Sequence, residues 1–189
     1  MYPTRLLEEA FVYASIVHGG HRRKGTPIPY ISHLMVVSAL VMEHGGDEEQ
    51  AAAALLHDAV EDGGGAPRRE DIRARFGERV ARIVDECSDT DVTPKPPWRA
   101  RKEAYLRHLE AASADAVLVS MADKLHNTRA ILMDYRVLGS RLWERFNAPG
   151  GRADVEWYHE ELARSFRRLQ PGPLADEITR VTEELKALP

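Results

Sequence analysis

The sequence predicts an all-α domain, and three observations carry that expectation. Apolar residues recur at three- and four-residue spacing along almost the whole chain. Strand-type alternation is nearly absent, and Gly/Pro breakers cut the periodic runs into helix-sized pieces. With 189 residues, 43% of them hydrophobic and 30% charged, the chain is large enough to bury a sizeable core as one domain, residues 1–189.

The elements follow in order. Leu6, Leu7, Ala10, Phe11, Ala14 and Val17 make one buried stripe, and Gly19-Gly20 ends it. "HRRKGTPIPY" is a basic loop with two prolines. Helical patterns then run over 31–44, 47–62, 68–76, 77–88, 98–111, 114–134, 137–146, 154–169 and 174–187. Gly45-Gly46, the glycines that precede Pro67, "TPKPP", "NAPGG" and "PGP" separate them. The last helix, 174–187, is expected at the periphery. There is no repeat and no low-complexity tract.

Composition excludes several function classes. A net charge of −4 argues against nucleic-acid binding driven by overall charge. One cysteine, Cys87, precludes an internal disulfide and makes a reducing cytoplasm the default. The N-terminus carries early acids rather than a signal peptide, and no apolar run reaches the length of a membrane span.

Four clusters carry candidate chemistry. In "AAAALLHDAVEDGGG", residues 51–65, a helix fit for the core gathers His57, Asp58, Glu61 and Asp62 just before three glycines. Residues four apart share a helix face, which pairs His57 with Glu61 and Asp58 with Asp62. Imidazole with carboxylate suits Mn²⁺, Fe²⁺ or Zn²⁺; the alternative is a solvated acidic helix end, which the macrodipole disfavours. In "ADKLHNTRAIL", Asp123 and Asn127 flank an apolar stripe, so Asp123 needs a partner: a metal, Lys124 or Arg129. In "RRKGTPIPYISH", Arg22, Arg23 and Lys24 offer donors for phosphate, and His33 follows at a helix start, where a structural role is the alternative. The other histidines show no ligand spacing. His18 and His44 read as helix C-terminal residues favourable to the dipole, and His126 reads as facing away from Asn127. Cys87 and the tryptophans read as packing residues, with Trp157-Tyr158 a candidate pocket border.

Taken together, His33, His57-Asp58 and Asp123 resemble the H…HD…D pattern of metal-dependent HD phosphohydrolases. "RKGTPIPYISH", "ALLHDAVED", "DIRARFGERVARIVDECSD" and "MADKLHNTRAIL" resemble the hydrolase domain of the RelA/SpoT alarmone enzymes. "RFN" and "WYHEELARSF" are more similar to stand-alone small alarmone hydrolases. The resemblance implies a single HD hydrolase domain with His33, His57, Asp58 and Asp123 as ligands of one Mn²⁺ per chain. It implies Glu61 and Asp62 as the acidic pair that handles water and protons, and Arg23, Lys24 and Asn127 as nucleotide contacts. It further implies cytoplasmic removal of the 3′-pyrophosphate from guanosine tetra- or pentaphosphate, leaving GDP or GTP, with no nucleic acid or membrane as partner. A synthetase domain is not expected in this length. Three positions depart from the pattern: Leu34 for Pro, Gly63 for Thr and Ala130 for Thr. The last bears on which purine is bound. Rival readings are an HD phosphohydrolase for an adenosine alarmone, NADPH or a nucleoside monophosphate, and a non-catalytic nucleotide-binding or antitoxin-like partner.

Overall fold

The computed structural model describes residues 5–88 and 96–189; the side chain of Asp62 lies outside that description. The helices are α1 (Arg5–Val17), α2 (Ile31–Glu43), α3 (Glu48–Leu56), α4 (Ala59–Gly63), α5 (Gly65–Cys87), α6 (Trp98–Leu109), α7 (Ala114–Leu138), α8 (Arg152–Leu169) and α9 (Pro173–Lys186). A 3₁₀ segment spans Gly139–Arg145. Among the described residues the only β-type pairing is an isolated antiparallel bridge between Arg22 and Pro29. None of their helices is long and apolar enough to cross a membrane.

The all-α expectation is met, with three differences of detail. The helix read over 47–62 is two helices. His57 keeps helical torsions, but Asp58 sits at φ −97°, ψ −1°, which interrupts the ladder and turns two adjacent side chains toward one point. The patterns at 68–76 and 77–88 join into α5, kinked at Gly77, whose φ of 88° and ψ of 169° are open to glycine. The run at 137–146 divides: α7 continues to Leu138 and a 3₁₀ segment follows.

Helix α3 is the centre of the core. Ala51, Ala52, Ala53, Ala54, Leu55 and Leu56 are all buried. Four consecutive alanines bring α1, α2, α5 and α7 close to its backbone. Its start is fixed by a capping box: Asp47 Oδ1 accepts from Gln50 N at 3.0 Å and Gln50 Oε1 from Asp47 N at 2.8 Å. Arg79 of α5 ties that cap to α7, with nitrogens 2.6 Å from Asp47, 2.9 Å from Glu49 and 2.9 Å from Asp115. Helix α9, expected at the periphery, packs on α7 and α8 and buries Leu174, Ile178, Val181 and Leu185. Helix α7 thus packs against α2, α3, α5, α8 and α9, and Asp123 lies in its middle.

Candidate active site

Four chain segments converge on one buried point. The first turn of α2 supplies His33, the end of α3 His57, the start of α4 Asp58 and the middle of α7 Asp123. His57 Nε2 lies 3.0 Å from Asp58 Oδ2 and 3.7 Å from Asp123 Oδ1. His33 Nε2 lies 3.1 Å from Asp123 Oδ1 and 3.8 Å from Asp58 Oδ2. His33, His57 and Asp58 each offer a ligand atom within 4.8 Å of the others'. The two Nε2 atoms are buried and make no hydrogen bond of proper geometry. Buried polar atoms are normally satisfied. Two orphaned imidazole nitrogens aimed between two carboxylates fit a divalent cation of the imidazole-and-oxygen class.

The groups around the cluster hold those atoms in place. His57 Nδ1 lies 2.8 Å from Ala54 O, a contact that keeps the proton on Nδ1 and leaves Nε2 for a metal. Tyr30 OH donates to Asp58 Oδ2 at 2.6 Å. Asn127 Nδ2 donates to Asp123 Oδ1, and Lys124 Nζ donates to Oδ2, each at 2.6 Å. Of the two cationic partners considered for Asp123, Lys124 is therefore the one used; Arg129 pairs with Glu177 at 2.8 Å.

Electrostatics follow from this geometry without metal. Burial opposes the charged form of Asp123, but Lys124 and the two imidazoles overcome it and hold the carboxyl well below its ordinary range. Asp58 is likewise depressed, its burial outweighed by His57. His57 is buried, yet Asp58 and Asp123 hold it well above the usual imidazole value. Burial dominates at His33 and lowers it. His18 stacks on Tyr30 with ring centroids 5.1 Å apart. Burial lowers it to about 4, so it is a neutral ring behind the cluster and not the charged helix cap that its position before glycine suggests.

A cavity of about 580 Å³ opens beside the cluster. Tyr30, Lys124 and Asn127, which bond the two aspartates, line it together with His126, and Arg23, Lys24, Arg101, Lys102 and Arg145 add cations. Among the described residues Asp134 is the one acid on its wall, and Arg145 pairs with it at 2.5 Å. The basic loop reaches the wall by folding back on itself, Arg23 N donating to Ile28 O at 2.9 Å and Tyr30 N to His21 O at 3.0 Å. Arg23 Nη2 donates to Asn127 Oδ1 at 2.6 Å. Asn127 thus joins the loop to Asp123 as well as facing the cavity. Glu61 is half-buried one turn beyond Asp58, and the side chain of Asp62 is outside the described residues. Trp98 and Tyr158 line the cavity, while Trp157 carries the Arg99 guanidinium on its ring at 3.2 Å.

His126, Lys124, Tyr30, His159 and the α6 pair Arg101-Lys102 are site residues that spacing alone does not single out. His126 lines the same cavity as Asn127, contrary to its reading as facing away. Thr128 Oγ1 donates to Lys124 O at 2.7 Å, so its contact with His159 Nδ1 at 2.8 Å makes Thr128 the acceptor there. The one sequence signal for the α6 pair is the basic run after Trp98.

Residues 10–140 match the protein family described as HD domain. The chain belongs to the HD domain family. This HD domain is 39% identical over 125 residues to a guanosine-3′,5′-bis(diphosphate) 3′-pyrophosphohydrolase MESH1 of Xenopus tropicalis, covering 66% of this chain and 68% of the relative. It is 31% identical over 189 residues to a GTP pyrophosphokinase rsh of Brucella ovis, covering 96% of this chain but 25% of that longer protein. Among solved structures, a metazoan ortholog of SpoT that hydrolyzes ppGpp superimposes with a TM-score of 0.78 at 26% identity, covering 97% of each chain. A Listeria monocytogenes protein superimposes with a TM-score of 0.69 at 28% identity, covering 81% of this chain.

Proposed function

We propose that this HD domain is a Mn²⁺-dependent hydrolase that removes pyrophosphate from the 3′ position of guanosine tetra- and pentaphosphate in the cytoplasm, acting as a single domain. The observation that carries the reading is the juxtaposition of the orphaned His33 and His57 nitrogens with a cavity walled by cations. The first suits a metal and the second a polyphosphate. The relatives named for guanosine-3′,5′-bis(diphosphate) hydrolysis support the choice of substrate.

His33, His57, Asp58 and Asp123 would hold one cation. When bound, it screens the phosphate charge and lowers the pKa of water. The chain's own groups do the rest. Glu61, beyond the ligand pair on α4, orients the attacking water and takes its proton, with Asp62 as its companion. Arg23 and Lys24 bind the nucleotide's phosphates, whose charge the acidic cluster repels. Asn127 keeps Arg23 in register with Asp123. Water adds to phosphorus, the bond to the 3′ oxygen breaks, the acidic pair returns a proton to that oxygen as it leaves as a hydroxyl, and GDP or GTP is released with a pyrophosphate.

Ion-exchange analysis of products from a nucleotide panel tests the reading. Pyrophosphate and GDP from guanosine tetraphosphate are expected. Single orthophosphate, or preference for a plain monophosphate or NADPH, points to another HD phosphohydrolase. Equal turnover of the adenosine analogue removes guanine selectivity, and no turnover of any member makes the chain a binding partner.

A further inference from the structure

The rings of His33 and His126 are stacked at an interplanar angle of 29° with centroids 4.8 Å apart, and their Nδ1 atoms are 2.6 Å apart. Two ring nitrogens at that distance require one to carry a proton and the other a lone pair. The remaining nitrogen of His33, Nε2, faces Asp58, Asp123 and His57. A neutral imidazole that gives its Nε2 lone pair to a cation keeps its proton on Nδ1. That proton is then donated to His126 Nδ1. His126 must in turn carry its own proton on Nε2. No hydrogen bond joins His126 Nε2 to any of the described residues, and His126 lines the cation-walled cavity.

Resting on the metal reading above, we infer that His126 is both the positioning residue for His33 and a substrate-facing donor whose polarity the cation sets. A cation on His33 commits His126 to present Nε2–H to a phosphate oxygen in the cavity. Without the cation the shared proton can sit on either ring, and the donor is not committed. The two neutral rings hold two protons in either arrangement: with the shared proton on His126, His33 carries its own on Nε2 and His126 Nε2 is bare, whereas with it on His33 the lone pair is on His33 Nε2 and the second proton on His126 Nε2, so the charge is the same. Because linkage is reciprocal, a phosphate held by His126 favours the same tautomer of His33 and so favours the cation.

Two amide side chains separate the two roles. In His126→Asn the side-chain oxygen takes the place of Nδ1, which preserves the acceptor for His33 but removes the cavity donor. In His126→Gln the amide nitrogen takes the place of Nε2, which preserves the donor but removes the acceptor. His126→Phe removes both. The experiment measures Mn²⁺ affinity from the free-ion electron paramagnetic resonance signal. It also measures inorganic pyrophosphate affinity by calorimetry at saturating Mn²⁺, on the full chain with folding checked by circular dichroism.

Mn²⁺ affinity should stay near wild type in Asn and fall about tenfold or more in Gln and Phe. Pyrophosphate affinity should stay near wild type in Gln and fall about fivefold in Asn and Phe. Three folded variants that behave alike in both measurements overturn the inference, as does unchanged Mn²⁺ affinity in His126→Phe. A wild-type chain that binds pyrophosphate but no Mn²⁺ overturns the metal reading itself, and the two failures are thereby distinct.

Discussion

Lys124 and Asp123 are neighbours in sequence that turn toward each other, ammonium to carboxylate at 2.6 Å, with side chains 16% and 8% exposed. Breaking a buried pair by removing one partner leaves an uncompensated charge, which costs about 3 kcal/mol or more. Lys124→Met should therefore destabilise the metal-free chain by about 3 kcal/mol in urea unfolding, and Mn²⁺ should recover part of the loss by replacing the missing positive charge. A loss below about 1 kcal/mol, the scale of an exposed pair, would mean that the imidazoles alone carry Asp123.

The metal prediction is direct. Mn²⁺ at a hundredfold excess over its Kd should stabilise the wild-type chain by about 2.7 kcal/mol, seen as a rise in melting temperature. His57→Ala and Asp58→Ala should lose that rise together with activity. Full activity in excess chelator would sink the assignment.

Chemistry and binding should separate at α4. Glu61→Gln combined with Asp62→Asn should keep the Mn²⁺-induced melting shift and the nucleotide, yet lower kcat by about 10²-fold or more. If this double variant loses its metal, the two acids are ligands and their roles are wrongly divided.

Gly25 links the basic loop to the 3₁₀ segment. Its φ is +68°, and a Cβ there would fall 2.6 Å from Arg145 Nε. Gly25→Ala should strain the loop by about 1–2 kcal/mol and push Arg145 off the cavity wall. KM should rise about fivefold, the value of one displaced polar contact, with kcat nearly unchanged. An unaltered KM would remove Arg145 from substrate binding.

Acid stability should be set by histidines buried in neutral form. Burial, with Lys124 and Lys102 nearby, lowers His159 from 6.5 to about 4. Between those values the unfolded chain takes up a proton that the folded chain refuses, so stability falls as pH falls. His18 and His126, also lowered to about 4, act in the same window. His57 has the opposite sign in the metal-free chain: its raised value contributes stability below pH 6.5 that is lost as pH rises through the folded value. His159→Gln should flatten the acid limb by up to about 1.4 kcal/mol per pH unit. An unchanged slope would show that His159 is protonated in the folded chain.

Helical periodicity made nearly every element legible in the sequence, because each helix has to bury a stripe and stops at a glycine or proline. The break at His57-Asp58 was not legible, since both residues and their neighbours tolerate helix and only tertiary packing turns them inward. His33, His57, Asp58 and Asp123 stand out through the resemblance of their order to the H…HD…D pattern; spacing alone leaves His33 a structural role and Asp123 a salt bridge. His126 could not, because its role depends on a ring brought to it from α2. Lys124 was visible only as one of two cations within reach of Asp123; distance, not spacing, chose it. The Arg101-Lys102 wall was hidden for a related reason: α6 meets the cavity through packing on α8, a contact between segments far apart in sequence.

The convergence of four segments on one point also has a consequence for timing. During synthesis α2, α3 and α4 leave the ribosome before α7, while a domain generally folds as a unit. An early intermediate would hold His33, His57 and Asp58 without Asp123. It would also lack the α7 face that covers α3, leaving those alanines and leucines exposed. One event, the docking of α7, closes the core and supplies the fourth group, the second of the two carboxylates. On the proposed ligand set, a nascent chain has no complete site to load with an ion before α7 docks, so assembly of the centre is tied to the closing of the interior.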